Sequence, residues 1–171
     1  IVVAKHTNKE VETYLIVVTC HLKADGWNAP CGDIRLRQAK QLIEAIEKKK
    51  EKCYNLTDNK EKNIIVLVCG DFNDNPDNPP TQEFLRNPQI PMKNAFIDEP
   101  YTLNQMYGYN EYWLKSVVDY VLYSDNLALT KKIKAPEESK VGPDGLLSEN
   151  FPSDHLSLYC EFVLPIEKFK L

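Results

Sequence analysis

The stretch VLVCGDFNDNP, residues 66–76, decides how this chain is read. An apolar run from Ile64 to Cys69 stops at Gly70 and passes directly into Asp71, Asn73 and Asp74. A continuous apolar run of this length, bounded by turn residues, is the pattern of a strand buried on both faces. Strand ends and the loops beside them are where a rigid scaffold can present chemistry. An Asp-x-Asn after Gly also forms ordinary turns, because both side chains bond their own backbone, so the stretch has to be weighed with the rest of the chain.

Upstream, residues 1–5 and 13–20 read as two strands joined through the polar turn His6 to Glu10, and the second strand runs into His21. From Asp33 to about Lys52, Ala39, Leu42, Ile43 and Ile46 recur at helical spacing, with Arg and Lys elsewhere, which predicts an amphipathic helix lying on a sheet. The Lys-rich end of that helix and the polar segment after it are read as a solvated face. Downstream, Thr81 is expected to cap a short helix over QEFLR. Residues 116–124 and 127–133 read as a second strand pair, 134–151 as a long connection, and HLSLYCEFVL, 155–164, as a final strand. The order predicts an α/β protein whose sheets are covered by helices.

With 171 residues, 43% hydrophobic and 27% charged, the composition suits one globular unit. No apolar run approaches the ~20 residues that cross a bilayer, which predicts a chain with no membrane association. Five cysteines, an odd number, are irregularly placed, and Cys20, Cys69 and Cys160 sit in apolar strand patterns as small hydrophobes. That usage favours a reducing, intracellular and cytoplasmic setting. The formal charge of −4 argues against a basic nucleic-acid clamp, so a phosphate-handling site here would need metal ions.

Polar groups recur at strand ends: His21, then Asp71 and Asn73, then Asp119 inside VVDYVLY, then Asp154 and His155 before LSLYCEF. Lone instances have structural explanations, but Asp119 does not, because a carboxylate in an apolar strand costs several kcal/mol unless paired. His155 is its expected partner, since a carboxylate that accepts one imidazole N–H fixes the tautomer and raises the ring's basicity.

In this order, the HL, GDFN, DY and SDH elements resemble the endonuclease/exonuclease/phosphatase superfamily of metal-dependent phosphoesterases. HLKA at 21–24 with Trp27 nearby, GDIRLRQAKQL at 32–42, PYT at 100–102 and VGPDGLLSENFPSDHLSLYCEF at 141–162 are similar to its nocturnin, deadenylase and Angel branch. The resemblance implies the C-terminal half of a DNase I-like, four-layer α/β/β/α sandwich with mixed, mainly antiparallel sheets. Residues 1–171 would then be the C-terminal portion of one domain, and the N-terminal half, with its metal-binding Glu and an Asn, would be absent.

By the same resemblance, Asp71, Asn73, Asp154 and His155 would serve a magnesium or manganese site, and His21, Asp71, Asn73, Asp119 and His155 would be catalytic. Lys23, Trp27 and Tyr101 would contact substrate, the aromatic rings by stacking on a base. The substrate would be an adenosine-containing phosphate, either the 3′ end of poly(A) RNA or the 2′-phosphate of NADP(H). The chain alone would be inactive and would pair with the missing half or with itself. A non-catalytic RNA-binding or interaction module derived from such an enzyme, and a DNA-repair or lipid phosphodiesterase, remain the rival readings.

Overall fold

A computed structural model describes residues 1–7, 11–25, 30–55, 61–107, 112–142 and 145–164. Strands β1 (Val2–Thr7) and β2 (Val11–His21) pair antiparallel, as the sequence predicts, although His6 and Thr7 belong to the strand and not to the turn. Helix α1 (Gly32–Tyr54) carries the chain back across the sheet, and β3 (Glu61–Asp71) lies parallel to β2. A parallel pair needs such a crossover. Next come α2 (Pro79–Leu85), β4 (Met92–Asn94), the hairpin β5 (Leu103–Tyr107) with β6 (Tyr112–Ser116), β7 (Asp119–Ser124), β8 (Ala128–Lys132) and β9 (Cys160–Val163).

The main sheet has the order β1-β2-β3-β7-β4, with β2–β3 its one parallel pair, and β5–β6 and β8–β9 form separate two-stranded sheets. On one face of the main sheet, Tyr14, Ile16, Val18, Val66 and Val68 pack under Ala39, Ile43 and Ile46 of α1 and Phe84 of α2. On the other face, Phe96 and Tyr123 meet Leu129 and Phe162 of the β8–β9 sheet. The alternating burial along β2 follows from the side-chain period of two.

The β8–β9 sheet covers only part of its face. Val2 lies opposite Val17 and Ala4 opposite Leu15, and this corner of the sheet is open, with Val2 68% exposed. Exposed apolar surface of this kind favours association with another surface.

Three local expectations are corrected. Thr81 lies inside α2, whose N-cap position is Asn78, because Pro79 and Pro80 occupy the first helical positions, where no N–H is needed and φ is already set. Ser116 ends β6, so the strand expected from 116 begins at Asp119. The strand expected over 155–164 is confined to Cys160–Val163.

Candidate active site

Strand register builds the site. His21 lies beside Asp71 across the parallel β2–β3 pair, and Asp71 lies beside Asp119 across the antiparallel β3–β7 pair. Three polar groups from distant parts of the chain therefore share one edge of the sheet. Gly70 makes this possible: its φ is +148°, and a Cβ there would sit 1.8 Å from the Cys20 carbonyl oxygen.

Beyond Asp71 the chain is pinned at once. Phe72 is fully buried against Phe84 and Tyr120, with ring centroids 5.3 and 4.8 Å away, and its N–H donates to the Val118 carbonyl at 2.8 Å. Asn73 then adopts φ +50°, a left-handed conformation that Asn tolerates. Its N–H donates to Asp71 Oδ1 at 2.7 Å and its Nδ2 to the Leu22 carbonyl at 3.0 Å. The Asp-x-Asn turn thus exists, and it also ties the Asn73 side chain to the end of β2.

His155 arrives from the long connection. Its N–H donates to Ser153 Oγ at 3.1 Å, and Nδ1 meets Asp119 Oδ2 at 2.9 Å, the pairing expected for a carboxylate inside an apolar strand. With Asp119 accepting the Nδ1 proton, Nε2 faces Asp71 Oδ2 at 4.0 Å. Buried Thr102 ties the two elements together: its Oγ1 accepts the N–H groups of Val118 and Asp119, both at 3.0 Å, and its carbonyl accepts the Leu156 N–H at 2.8 Å. Thr102 lies in the PYT stretch that carries the resemblance, but no sequence pattern assigned it a role in the site.

The remaining candidates are spread around this centre. His21 Nε2 stands 3.4 Å from Asp71 Oδ2 on a largely exposed ring. Lys23 is exposed at the rim, two residues beyond His21. Asp154 is half-buried, its carbonyl accepting the Asn104 N–H, and its charge helps to raise the His155 pKa. Trp27 lies outside the described residues. Tyr101 is corrected: it is fully buried, its hydroxyl donates to the Pro136 carbonyl at 2.7 Å, and Lys115 Nζ lies 5.1 Å from its ring centroid. A base cannot stack on a ring packed in this way.

Burial raises the pKa of Asp71 above the ordinary carboxylate value, and the neighbouring Asp119 pushes in the same direction, while the Asn73 N–H opposes both. The hydrogen bond that its Nδ1–H donates to Asp119 raises His155 above the ordinary imidazole value. Cys20, behind the site, is pushed up by burial to about 12 and is an inert thiol.

Ligand atoms of Asp71, Asp119 and His155 all lie within 4.8 Å of one another. Two carboxylates crowded together, one of them disfavoured as an anion by its own burial, form a donor set that a hard divalent cation would relieve. The residues fit such a cation, with Asp119 engaged by His155 and Asp71 the carboxylate best placed to ligate.

The endonuclease/exonuclease/phosphatase family matches residues 4–155. Nocturnin of Xenopus laevis is 29% identical over 163 residues, covering 90% of this chain and 38% of its own length. The 3′-5′-exoribonuclease subunit Ccr4 of the CCR4-Not complex of Schizosaccharomyces pombe is 26% identical, covering 96% of this chain and 29% of its own length. Among solved structures, the human nocturnin catalytic domain with bound sulfate superposes with a TM-score of 0.59 at 22% identity, over 90% of this chain and 46% of that one. ANGEL2, a 2′,3′-cyclic phosphatase in complex with adenosine-2′,3′-vanadate, gives 0.63 at 17% identity, over 89% and 56%. The chain spans well under half the length of these curated relatives. It belongs to the endonuclease/exonuclease/phosphatase family.

Proposed function

We infer that this chain carries the C-terminal share of the active site of a divalent-cation-dependent phosphoesterase, acting on an adenosine ribose phosphate: the 3′ end of poly(A) or the 2′-phosphate of NADP(H). The observation that carries the reading is the convergence of Asp71, Asp119 and His155 within 4.8 Å at one sheet edge, with His21 beside them. A binding module has no chemical need for a carboxylate–imidazole pair facing a second carboxylate.

Magnesium or manganese, held by Asp71 and Asn73 and approached by His155, would supply positive charge to the phosphate oxygens. The chain's own groups do the rest. Asp71 accepts the proton of the attacking water as the water oxygen bonds to phosphorus, and the bond from phosphorus to the ribose oxygen breaks, that oxygen taking a proton from solvent. Asp119 holds the His155 ring so that Nε2 points to the reacting phosphate, and Asp154 adds negative charge that favours the cationic ring. His21 and Lys23 donate hydrogen bonds to phosphate oxygens from the open side.

The open corner at Val2, Leu15 and Val17 supports a companion segment, or a second copy, that completes the cation site, and the chain by itself is then inactive. No helix among the described residues is long and apolar enough to cross a membrane, and the half-buried and buried free cysteines suit a reducing, cytoplasmic setting.

The test measures magnesium-dependent release of AMP from an oligoadenylate and of phosphate from NADPH, for this chain and for the chain extended upstream. Hydrolysis of one substrate by the extended protein, lost in Asp71→Asn, supports the reading and selects the substrate. Oligoadenylate binding with no hydrolysis in either form would replace it with the RNA-binding module.

A further inference from the structure

Two loops carry the groups that would face a substrate phosphate: residues 22–25 with Lys23, and residues 71–75 with Asp71 and Asn73. They leave different strands, and a single buried guanidinium holds both. Arg35 is 5% exposed on the inner face of α1, in line with Ala39, Ile43 and Ile46. Its Nε donates to Asp74 Oδ2 at 2.7 Å. Its Nη1 donates to the Lys23 carbonyl at 3.1 Å and to Asp25 Oδ1 at 2.6 Å.

Each end of this bridge is itself anchored. Asp74, also 5% exposed, accepts the Asn75 N–H at 3.0 Å and the Asn78 side-chain amide on Oδ1, and its carbonyl accepts the Tyr120 hydroxyl at 2.7 Å. On the other loop, the Lys23 N–H donates to Gln38 Oε1 at 2.9 Å, so α1 grips both the N–H and the carbonyl of Lys23. Asp25 Oδ1 also accepts the Cys31 N–H at 2.7 Å, just before α1 begins.

A buried ionic triad is weak evidence for stability, because apolar side chains of equal volume often pack as well or better. What a guanidinium adds is a planar fork, which sets the angle between two acceptors in a way neither an apolar side chain nor Lys can. Here the two acceptors belong to the two phosphate-facing loops.

We propose that Arg35 is a positioning residue that locks the Lys23 loop to the Asn73 loop, so that the rim cation and the amide beside Asp71 keep one separation. Its purpose rests on the phosphoesterase reading; the coupling itself does not. Asp25 tunes the lock from the solvent side, its carboxyl held below the usual range by the Arg35 hydrogen bond.

The test perturbs one loop and reads the other. Asp25→Asn touches only the outer arm, so amide hydrogen exchange followed by NMR should accelerate at Lys23 and Cys31, and also at least threefold at Asn73 and Asn75. Val66 and Val68 in the middle of β3 should not change. Arg35→Lys, which keeps the charge and loses the fork, should loosen both loops together. Unchanged exchange at Asn73 and Asn75 in Asp25→Asn, or wild-type exchange in Arg35→Lys, overturns the proposal.

In a form that hydrolyses oligoadenylate or NADPH, Asp25→Asn should raise KM several-fold with kcat within twofold. It should add little in a Lys23→Ala background, and full additivity of the two substitutions would overturn the proposal. If the wild type extended upstream hydrolyses neither substrate, the phosphoesterase reading fails, while the exchange rates still decide whether the loops are coupled.

Discussion

Gly70→Ala tests how the site edge is assembled. The added Cβ would fall 1.8 Å from the Cys20 carbonyl oxygen and 2.9 Å from its carbon, and both are backbone atoms that cannot rotate aside. Real contacts of this kind stop at 3.0 Å. Strands β2 and β3 must therefore part by about 1 Å on a ladder spaced at ~4.8 Å. The backbone at φ +148° costs a non-glycine residue ~1–3 kcal/mol, and each ladder hydrogen bond lost costs a further ~1 kcal/mol.

Gly32→Ala supplies the control. Gly32 stands at the start of α1 with nothing within 4 Å of its Cβ position. Both substitutions restrict the unfolded chain alike, which by itself stabilises by ~0.4–1 kcal/mol. The difference between them isolates the clash, and it should reach ~3 kcal/mol, or about 1.5 M in the urea midpoint at a slope of ~2 kcal/mol/M. Urea titration followed by circular dichroism reads it. A Gly70→Ala midpoint within 0.5 M of Gly32→Ala, roughly 1 kcal/mol, would refute the claim that close approach of the two backbones sets the His21–Asp71 pairing.

Three shorter tests bear on the site and its surroundings. In the metal-free protein, the His155 ring should titrate above 6.5 by NMR and fall back toward that value in Asp119→Asn; a wild-type midpoint at or below 6.5 contradicts the pairing. Because the folded value is raised, the stabilisation from this pair is complete below about pH 6.5 and is lost as pH rises through the folded-state value. Asp71 has a linkage of the same sign in a lower pH window: its raised pKa removes stability as pH climbs from the unfolded carboxylate value through the folded one, so Asp71→Asn should raise the metal-free urea midpoint at neutral pH and abolish Mn2+ binding measured by calorimetry. Tyr101→Phe should cost about 1 kcal/mol in urea melts through the lost bond to the Pro136 carbonyl, and an unchanged midpoint would mean that the hydroxyl is not held there.

Much of this protein was legible in the residue order because the physics involved is local. The two-face burial of β3 follows from Ile64 to Cys69, the apolar stripe of α1 from Ala39, Ile43 and Ile46, and the need of Asp119 for a partner from the cost of burying its charge. The β5–β6 hairpin was hidden because its Tyr-rich sequence has no clean alternation, and β4 because three residues carry no period. Arg35 was passed over although it falls on the apolar stripe: a cation at a core position signals a buried partner, but its partners, Asp74 and Asp25, are 39 and 10 residues away.

Sequence alone marked the candidate polar residues and the elements they end, since periodicity, turn chemistry and desolvation act over a few neighbouring positions. The meeting of His21, Asp71, Asp119 and His155 depended on strand register, which joins segments far apart in the chain. With side chains alternating faces every residue, a slip of one position in β3 would turn Asp71 away from both neighbours. That register is set by the packing of both sheet faces and by the bare backbone at Gly70, and it is likewise tertiary structure that buries Tyr101 against Pro136 and Lys115, where its ring is closed to a substrate base.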